Sequence, residues 1–152
     1  MKNYIKHHPW HIIEEGFDTQ VNRVSESIFS IWNGKFGQRA NLEEKYSGDT
    51  LEGNYVAGVY YPDKTRVGWW KNGYPEYFAK VLNSCNWIGL NIEVDGENID
   101  ISEGKLKSFY RELDMYQGTL KRSFRIQLNN GKELEITSLR FCSMDNGEIA
   151  AI

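Results

Sequence analysis

The chain has 152 residues, of which 40% are apolar and 14% aromatic, and its formal net charge is −3 at pH 7. That length suits one domain with its own core, and the slightly acidic balance argues against a nucleic-acid-binding protein. No apolar run approaches the roughly 18 residues that a membrane-spanning helix needs. The two cysteines, Cys85 and Cys142, fit no disulfide framework, and they favour a reducing, cytoplasmic location.

The first part of the chain is predicted to form short strands joined by turns. Residues 10–17 read as a first strand, and residues 25–32, with four large apolar side chains, as a strand buried on both faces. Asn33 and Gly34 then predict a tight turn, because both residue types accept positive φ. Residues 53–61 are rich in β-branched and aromatic side chains and predict a further strand.

Few polar residues in this part of the chain indicate a catalytic or ligand-binding site. Glu43 and Glu44 could suggest acid–base work, but adjacent carboxylates ordinarily form a solvated face. Gly34 and Gly37 match neither glycine-rich phosphate-binding motif. We also predict no metal site, because no cysteine or carboxylate stands at a ligand spacing from the three histidines His7, His8 and His11.

Residues 60–78, YYPDKTRVGWWKNGYPEYF, hold two tryptophans, two prolines and four tyrosines. The prolines and glycines argue against a core strand, and adjacent indoles argue against a bare surface loop. We interpret the stretch as a long ordered loop, with two readings left open. Its aromatic rings pack it over a sheet edge, or its side chains meet an anion or a sugar. The side chains that can meet an anion or a sugar hydroxyl are Lys64, Arg66 and Lys71.

The second half of the chain predicts antiparallel sheet. Residues 88–94 alternate between apolar and polar side chains, and the pair at 95–96, Asp-Gly, predicts a tight hairpin after them. Residues 120–128 alternate in the same way, and the Asn-Gly pair at 130–131 predicts a second hairpin into residues 133–142.

Other segments of this half are less regular. Residues 77–82 predict one helical turn, and residues 105–115 are ambiguous between a strand and a short helix. A slip of the apolar phase between Ile136 and Leu139 predicts a β-bulge. Residues 148–152 form an apolar end that needs a partner strand and suggests a fragment. About eight strands with little helix predict an all-β fold, an antiparallel β-sandwich.

Several stretches together resemble glycoside hydrolase family 65. A pattern of the family is met by Glu26, Ser27, Asn33, Gly34, Gly37 and Arg39 within SESIFSIWNGKFGQRANLEE. A second pattern, LDM-x-x-G-x-L-x-R, is met by Leu113, Asp114, Met115, Gly118, Leu120 and Arg122. The stretch YPDKTRVGWWKNGYP is the most specific and points to the maltose branch of the family rather than the trehalose or kojibiose branches.

The resemblance implies that residues 1–152 are an N-terminal β-sandwich domain, truncated before a catalytic (α/α)₆ barrel that is absent from this chain. In the family the barrel supplies one glutamic general acid, and inorganic phosphate attacks the anomeric carbon from the other face. Maltose would then give β-glucose 1-phosphate and glucose with inversion. We expect no cofactor besides phosphate as co-substrate, and we expect the fragment alone to be inactive.

The resemblance also implies a supporting role: packing on the protein's own barrel, homodimer contacts, and loops at the active-site mouth. Arg66, Trp69 and Trp70 would border the pocket or the subunit interface, or the two tryptophans would only seal the sandwich against the barrel.

For Asn33, Gly34, Gly37 and Arg39 we expect a structural role, in which the glycines set the turn and a carboxylate fixes Arg39. Two other classes remain open from the residues alone. One is a stand-alone carbohydrate-binding β-sandwich with exposed tryptophans as a sugar platform, and the other is a purely structural interaction module.

Overall fold

The computed structural model describes residues 4–66 and 73–152, so the predictions for Trp69, Trp70 and Lys71 lie outside the described residues. The first elements in chain order are β1 (Ile5–His7), β2 (His11–Glu15), α1 (Asn22–Ile28), β3 (Ile31–Trp32), β4 (Phe36–Gln38), β5 (Asn54–Val56) and β6 (Tyr60–Lys64). They are followed by β7 (Tyr77–Val81), β8 (Glu93–Val94), β9 (Glu97–Asn98), β10 (Lys105–Asp114), β11 (Thr119–Gln127), β12 (Glu133–Cys142) and β13 (Ala150–Ala151).

The largest unit is a six-stranded antiparallel sheet in the order β1-β2-β10-β11-β12-β13. Within the described residues, three smaller antiparallel sheets accompany it: β3-β4-β5, β6-β7 and β8-β9. The prediction of an all-β, antiparallel β-sandwich with little helix is therefore confirmed.

The long hairpins of the main sheet follow the turn residues of the sequence. The Asn-Gly pair ends in Gly131, at φ 85°, between β11 and β12, as predicted. Asp95 and Gly96 both have positive φ, 54° and 78°, which is the backbone of a type I′ turn, between β8 and β9. Residues 105–114 form a strand, but the strand predicted over 88–94 shrinks to Glu93–Val94.

The bulge predicted between Ile136 and Leu139 is wrong, because the register between β11 and β12 runs without a shift. The inward phase of β12 simply continues through polar residues, since Ser138 is half-buried and Arg140 is buried while Leu139 is exposed. The one register shift in the main sheet lies between β10 and β11, at Leu106/Ser108.

The strand predicted over residues 25–32 is wrong in its first part, which belongs to α1. The buried residues of α1 are Asn22, Ser25 and Glu26, at the i, i+3, i+4 spacing of one helix face. Because that face is polar and Val24 is exposed, the apolar pattern does not reveal the helix. No helix in the described ranges is long and apolar enough to cross a membrane.

The two described ends of the stretch 60–78 lie in a hairpin instead of a loop. β6 pairs with β7, so the helical turn predicted over 77–82 is also wrong. The strand predicted over 53–61 divides into β5 and the start of β6. The aromatic rings of the hairpin strands, Tyr60, Tyr61, Tyr77 and Phe78, are exposed.

The core consists of two apolar clusters on the inner face of the main sheet. The larger cluster contains Leu42, Ile99, Ile101, Phe109, Phe124, Ile126 and Leu128. The smaller cluster contains Phe29, Ile31, Ala40, Leu120 and Cys142. Segments outside the main sheet thus supply the second layer, and they bury its inner face.

Candidate functional site

A row of polar side chains crosses the inner face of the main sheet between the two apolar clusters. Glu14 of β2 lies opposite Arg111 of β10, Arg111 lies opposite Arg122 of β11, and Arg122 lies opposite Ser138 of β12. Arg140 follows on the same face of β12. The three arginines are at most 2% exposed. Since arginine is almost never fully buried without a partner, the row requires buried carboxylates.

Glu43 and Glu44 meet this requirement, so the prediction that they form a solvated face is wrong: both are only 3% exposed. Arg122 Nη1 donates to Glu44 Oε1 at 2.8 Å, and its Nη2 bonds to both glutamates. Arg140 Nε forms an ion pair with Glu43 Oε1 at 2.8 Å, and the same oxygen accepts a hydrogen bond from Ser138 Oγ at 2.9 Å.

The electrostatics of the row keep Glu43 ionised. Burial by itself would raise the pKa of Glu43, but Arg122, Arg140 and the Ser138 hydroxyl together hold it below its ordinary value. Burial lowers the pKa of Arg140 to about 10, partly offset by Glu43, so this guanidinium stays charged at neutral pH. Glu43 and its arginines are therefore a fixed ion-pair network.

At the other end of the row, the buried charges of Glu14 and Arg111 are less fully balanced by their partners. Arg111 Nε lies 3.4 Å from Glu14 Oε2, and Ser25 Oγ donates to Glu14 Oε1 at 2.8 Å. Burial raises the pKa of Glu14 in spite of Arg111 and Ser25. The guanidinium of Arg111 also packs over the Phe29 and Phe109 rings, at 5.6 and 5.1 Å from their centroids.

The row fixes the chain segment at residues 40–44. Arg140 Nη2 donates to the Asn41 carbonyl at 2.7 Å, and the Ala40 N–H donates to the Glu26 carbonyl at 2.9 Å. The Glu26 carboxylate, fully buried on α1, accepts hydrogen bonds from Thr50 Oγ1 and from the Leu51 N–H. Helix α1, the 40–44 segment and the turn before β5 are thereby held in one arrangement.

Arg39 lies at the edge of this arrangement. Its Nε donates to the Leu51 carbonyl at 2.9 Å and its Nη2 to the Arg23 carbonyl at 3.0 Å. The expected carboxylate is Glu26, whose Oε2 lies 3.9 Å from Arg39 Nη2. A Cβ at Gly53 would lie 2.3 Å from Arg39 Cδ, so the glycine makes room for the arginine.

Asn33, Gly34 and Gly37 shape the turn and strands beside it. Asn33 Oδ1 accepts the N–H groups of Lys35 and Phe36, its Nδ2 donates to the Ser143 carbonyl at 2.8 Å, and Gly34 has φ 89°. A Cβ on Gly37 would make only ordinary contacts of 3.7–3.8 Å. The positive φ of the turn is thus needed at Gly34 and not at Gly37.

Polar bonds around Asn54 connect β5 to the base of the β6–β7 hairpin. Gln38 Nε2 donates to Asn54 Oδ1 at 3.0 Å, the Asn54 N–H donates to Asn83 Oδ1 at 3.2 Å, and the Ser84 N–H donates to the Asn54 carbonyl at 2.6 Å. The hairpin is anchored at this end, and its strands extend away from the core.

Between the hairpin and the β3-β4-β5 sheet lies an open cleft of about 360 Å³. We call its apolar lining the aromatic face, and define it by Trp32, Phe36, Tyr55, Val59, Tyr60 and Val81. Trp32 is 72% exposed and Val81 is 64% exposed.

The structure places only some of the predicted site residues near this face. Arg66 is exposed and follows β6 directly after Thr65, at the far end of the hairpin. Gly34 and Gly37 line the cleft, whereas Arg39 binds the carbonyls of the neighbouring loop.

A polar cleft of about 410 Å³ lies beside residues 41–46, and Glu43 and Glu44 are among its lining residues. Both carboxylates are bound to arginine, and the Asn41 amide is bonded to Thr50, Leu51 and Gly53. Among the described residues, these carboxylates are held as ion-pair partners rather than poised for proton transfer.

Sequence reasoning missed the buried row. A signal existed, because each arginine occupies an inward position of its strand: Arg111 after Phe109, Arg122 between Leu120 and Phe124, and Arg140 before Cys142.

The fold and this site define an all-β domain, with buried charges that fix its loops and an exposed aromatic face. The sequence profile of glycosyl hydrolase family 65, N-terminal domain, matches residues 12–152, and the chain belongs to this family.

Relatives of known name are similar over nearly the whole chain. The maltose phosphorylase of Bacillus subtilis is 48% identical over 143 residues, which cover 94% of this chain and 19% of that protein. The α,α-trehalose phosphorylase of Thermoanaerobacter brockii is 33% identical over 150 residues, covering 94% and 19%. A solved structure from the human microbiome, provisionally assigned as a kojibiose phosphorylase, superposes with a TM-score of 0.86 at 32% identity, covering 98% of this chain and 20% of that one. The chain spans about a fifth of the length of these relatives.

Proposed function

We propose that this chain is the N-terminal, non-catalytic domain of an inverting disaccharide phosphorylase that acts on maltose. The parent protein converts maltose and inorganic phosphate into β-glucose 1-phosphate and glucose. The observation that carries the proposal is the 48% identity to a maltose phosphorylase, against 33% and 29% to the trehalose and kojibiose phosphorylases of T. brockii.

The contacts of the buried carboxylates and the exposed aromatic face argue for a supporting role of this domain within that enzyme. The buried carboxylates Glu43 and Glu44 are bound to arginines, which leaves them without a free proton-transfer role. The aromatic face is apolar and open, and it packs on the catalytic part of the parent protein in this proposal. The parent is a homodimer in which this domain contributes contacts.

We further propose that the segment after β6 reaches the mouth of the active site. Arg66 is exposed at the far end of the hairpin, and a guanidinium can bond sugar hydroxyls or phosphate through two donors. Trp69, Trp70 and Lys71 follow it in sequence. Aromatic rings supply apolar faces against which sugar rings stack.

The proposed location is the cytoplasm. Both cysteines are free thiols, Cys85 exposed and Cys142 buried. Free thiols are typical of proteins in reducing compartments.

The reaction is tested with the full-length parent protein on maltose, trehalose, kojibiose and nigerose, each with and without phosphate. We expect glucose 1-phosphate from maltose alone and only in the presence of phosphate. Activity on another disaccharide would contradict the maltose assignment, and cleavage without phosphate would contradict phosphorolysis.

The mouth role is tested by replacing Trp69 and Trp70 with alanine in the parent protein, with Trp32→Ala as the control on the aromatic face. A mouth role predicts a higher KM for maltose in the double variant but not in the control. An unchanged KM with a lower thermal midpoint would instead show that the two tryptophans only seal the domain against its neighbour.

A second candidate function is a stand-alone carbohydrate-binding module. It is favoured by the Trp32, Tyr55 and Tyr60 rings around one cleft. Sugar sites also need convergent polar groups, and Lys35 Nζ, on the cleft wall, is paired with Glu148 Oε1 at 3.1 Å. Calorimetric titration of the isolated chain with maltose separates the two, because only the module predicts saturable binding that Trp32→Ala abolishes.

A further inference from the structure

The β6–β7 hairpin is bonded to the rest of the described chain only at its base. Every hydrogen bond and ion pair formed by the described residues of 60–81 stays within the hairpin. These bonds are the strand pairing, two bonds donated by Thr65, and the pair of Lys80 with Asp63 at 3.8 Å. All of β7 is exposed, so packing within the described chain does not fix the strand. The direction of the hairpin therefore depends on the bonds at its base.

The chain just after β7 is bonded to the backbone beside β5. Asn83 Oδ1 accepts a hydrogen bond from the Asn54 N–H at 3.2 Å, and Asn83 Nδ2 donates to the Glu52 carbonyl at 3.2 Å. The Ser84 N–H donates to the Asn54 carbonyl at 2.6 Å. The Asn83 amide thus satisfies one backbone donor and one backbone acceptor, as a neighbouring strand would.

Asn54 is a fixed point for these bonds. It is only 3% exposed, and its Oδ1 accepts a hydrogen bond from Gln38 Nε2 at 3.0 Å. Gln38 is also buried and lies opposite Asn54 in the pairing of β4 with β5. Asn83, in contrast, is exposed, so its two hydrogen bonds and not burial hold its side chain in place.

The link between β5 and β6 has the features of a hinge. It contains Gly58, at φ 87°, and glycine accepts changes of φ and ψ that other residues resist. The residue before it, Ala57, still donates to the Lys35 carbonyl at 2.8 Å. Residues at the ends of elements absorb the backbone changes of hinge motions. The bonds after β7 are therefore the ones that stop the hairpin from turning about this link.

A small rotation at the base is amplified along the hairpin. Tyr77, at the start of β7, precedes Asn83 by six residues, which corresponds to about 20 Å at about 3.3 Å per residue. A rotation of about 10° would displace Tyr77 by about 3.5 Å. A misplacement of about 1 Å can cost about a hundredfold in catalysis. A segment at the far end of the hairpin can thus be placed accurately only if the base is fixed.

We propose that Asn83 is a positioning residue, whose amide fixes the direction of the β6–β7 hairpin and thereby the place of the segment that follows β6. The fixing of the hairpin rests on the bonds of Asn83 itself. Its consequence for catalysis rests on the proposed role of that segment at the active-site mouth. Asn83 touches no substrate in this proposal. It acts through the fraction of molecules in which the hairpin is in place, and that fraction scales the apparent affinity for substrate.

Spin-label distances within the chain are the first test. In a Cys85→Ser background, labels are attached through Tyr77→Cys on the hairpin and Lys121→Cys on β11, and the second cysteine is buried. We expect Asn83→Ala to broaden the distance distribution by about 3 Å or more, as the lever arm requires. The matched control is Asn91→Ala, an exposed asparagine whose side chain bonds to no described residue, and it should leave the distribution unchanged.

Hydrogen exchange verifies that the variants stay folded. The amides of β10, β11 and β12 should keep their native protection, because the Asn83 side chain is exposed and lies outside both core clusters. An unchanged distance distribution in Asn83→Ala, or equal broadening in Asn91→Ala, would overturn the proposal.

The kinetics of the full-length parent are the second test. Asn83→Ala should raise the KM for maltose by up to about fivefold, the factor that corresponds to about 1 kcal/mol, and leave kcat unchanged. If the double variant of Trp69 and Trp70 raises KM and Asn83→Ala does not, the proposal is overturned. If neither raises KM, the mouth role fails, and the spin-label distances alone decide the role of Asn83.

Discussion

Replacing Arg122 with methionine removes the cation on which two buried glutamates depend. Arg122 is bonded to both Glu43 and Glu44, and all three side chains are at most 3% exposed. Methionine fills similar apolar volume, so the main effect is electrostatic. Removing one partner of a buried ion pair costs about 3–5 kcal/mol, because the other charge is left uncompensated.

For a chain of this size each kcal/mol lowers the thermal midpoint by about 2–4 °C. Arg122→Met should therefore lower the midpoint by about 6–20 °C in calorimetry, and urea unfolding should give the free-energy loss directly. The matched control is Arg125→Met on the same strand, where Arg125 is 57% exposed and pairs with Glu135 at 2.9 Å. An exposed pair contributes about 0–1 kcal/mol.

The deficit of Arg122→Met should also depend on pH. In the native protein the lowered pKa of Glu43 contributes stability that is present above its unfolded value of 4.5 and lost as the pH falls through the folded value. Without Arg122 the pKa of Glu43 rises, because burial is then opposed mainly by Arg140 and Ser138, so the deficit should be largest at pH 7 and shrink towards pH 4. A loss no larger than that of Arg125→Met, or one independent of pH, would refute this reasoning.

Three further predictions concern other parts of the fold. Burial would raise the pKa of Asp100, but serine hydroxyls and N–H groups hold it below its ordinary 3.8. Asp100→Asn should therefore lower the free energy of unfolding by about 1–3 kcal/mol at pH 7. In urea titrations the difference from the native chain should fade below pH 3.8. Gly34→Ala should cost about 1–2 kcal/mol because of its φ of 89°, whereas Gly37→Ala should stay within about 0.5 kcal/mol. Trp32→Ala should change the stability of the isolated chain by less than about 0.5 kcal/mol but lower the thermal midpoint of the full-length parent.

For each of these three predictions, one experimental result would contradict it. A constant deficit of Asp100→Asn across pH would show that its charge is not the source of stability. Equal losses at Gly34 and Gly37 would remove the special role of positive φ. Destabilisation of the isolated chain by Trp32→Ala would mean that this indole belongs to the core.

The sequence predicts the parts of the fold that depend on local chemistry. The Asp-Gly and Asn-Gly pairs specify their hairpins because few other residues adopt positive φ. The alternation over 120–128 specifies β11 because both apolar clusters lie on one face of it. These signals lie within a few residues of the structure that they determine.

The parts that sequence reasoning misjudged depend on distant partners. Glu43 resembles a surface residue until Arg122 and Arg140, about eighty to a hundred positions later, come to lie beside it. Helix α1 is concealed for the same reason, since its buried Glu26 and Ser25 bond to residues outside the helix. Arg140 on the inner face of β12 produces a phase slip that imitates a bulge.

The aromatic hairpin shows a different limit. The many aromatic residues of this segment led us to expect an interaction surface. The register in which β6 pairs with β7 can be read only from the three-dimensional structure.

The central claim is that this chain supports an enzyme without itself catalysing the reaction. The direct measurement is glucose 1-phosphate release from maltose and phosphate by the isolated chain and by the full-length parent at equal molar concentration. The account predicts release by the parent and none by the chain. Phosphorolysis or hydrolysis of maltose by the isolated chain would contradict it.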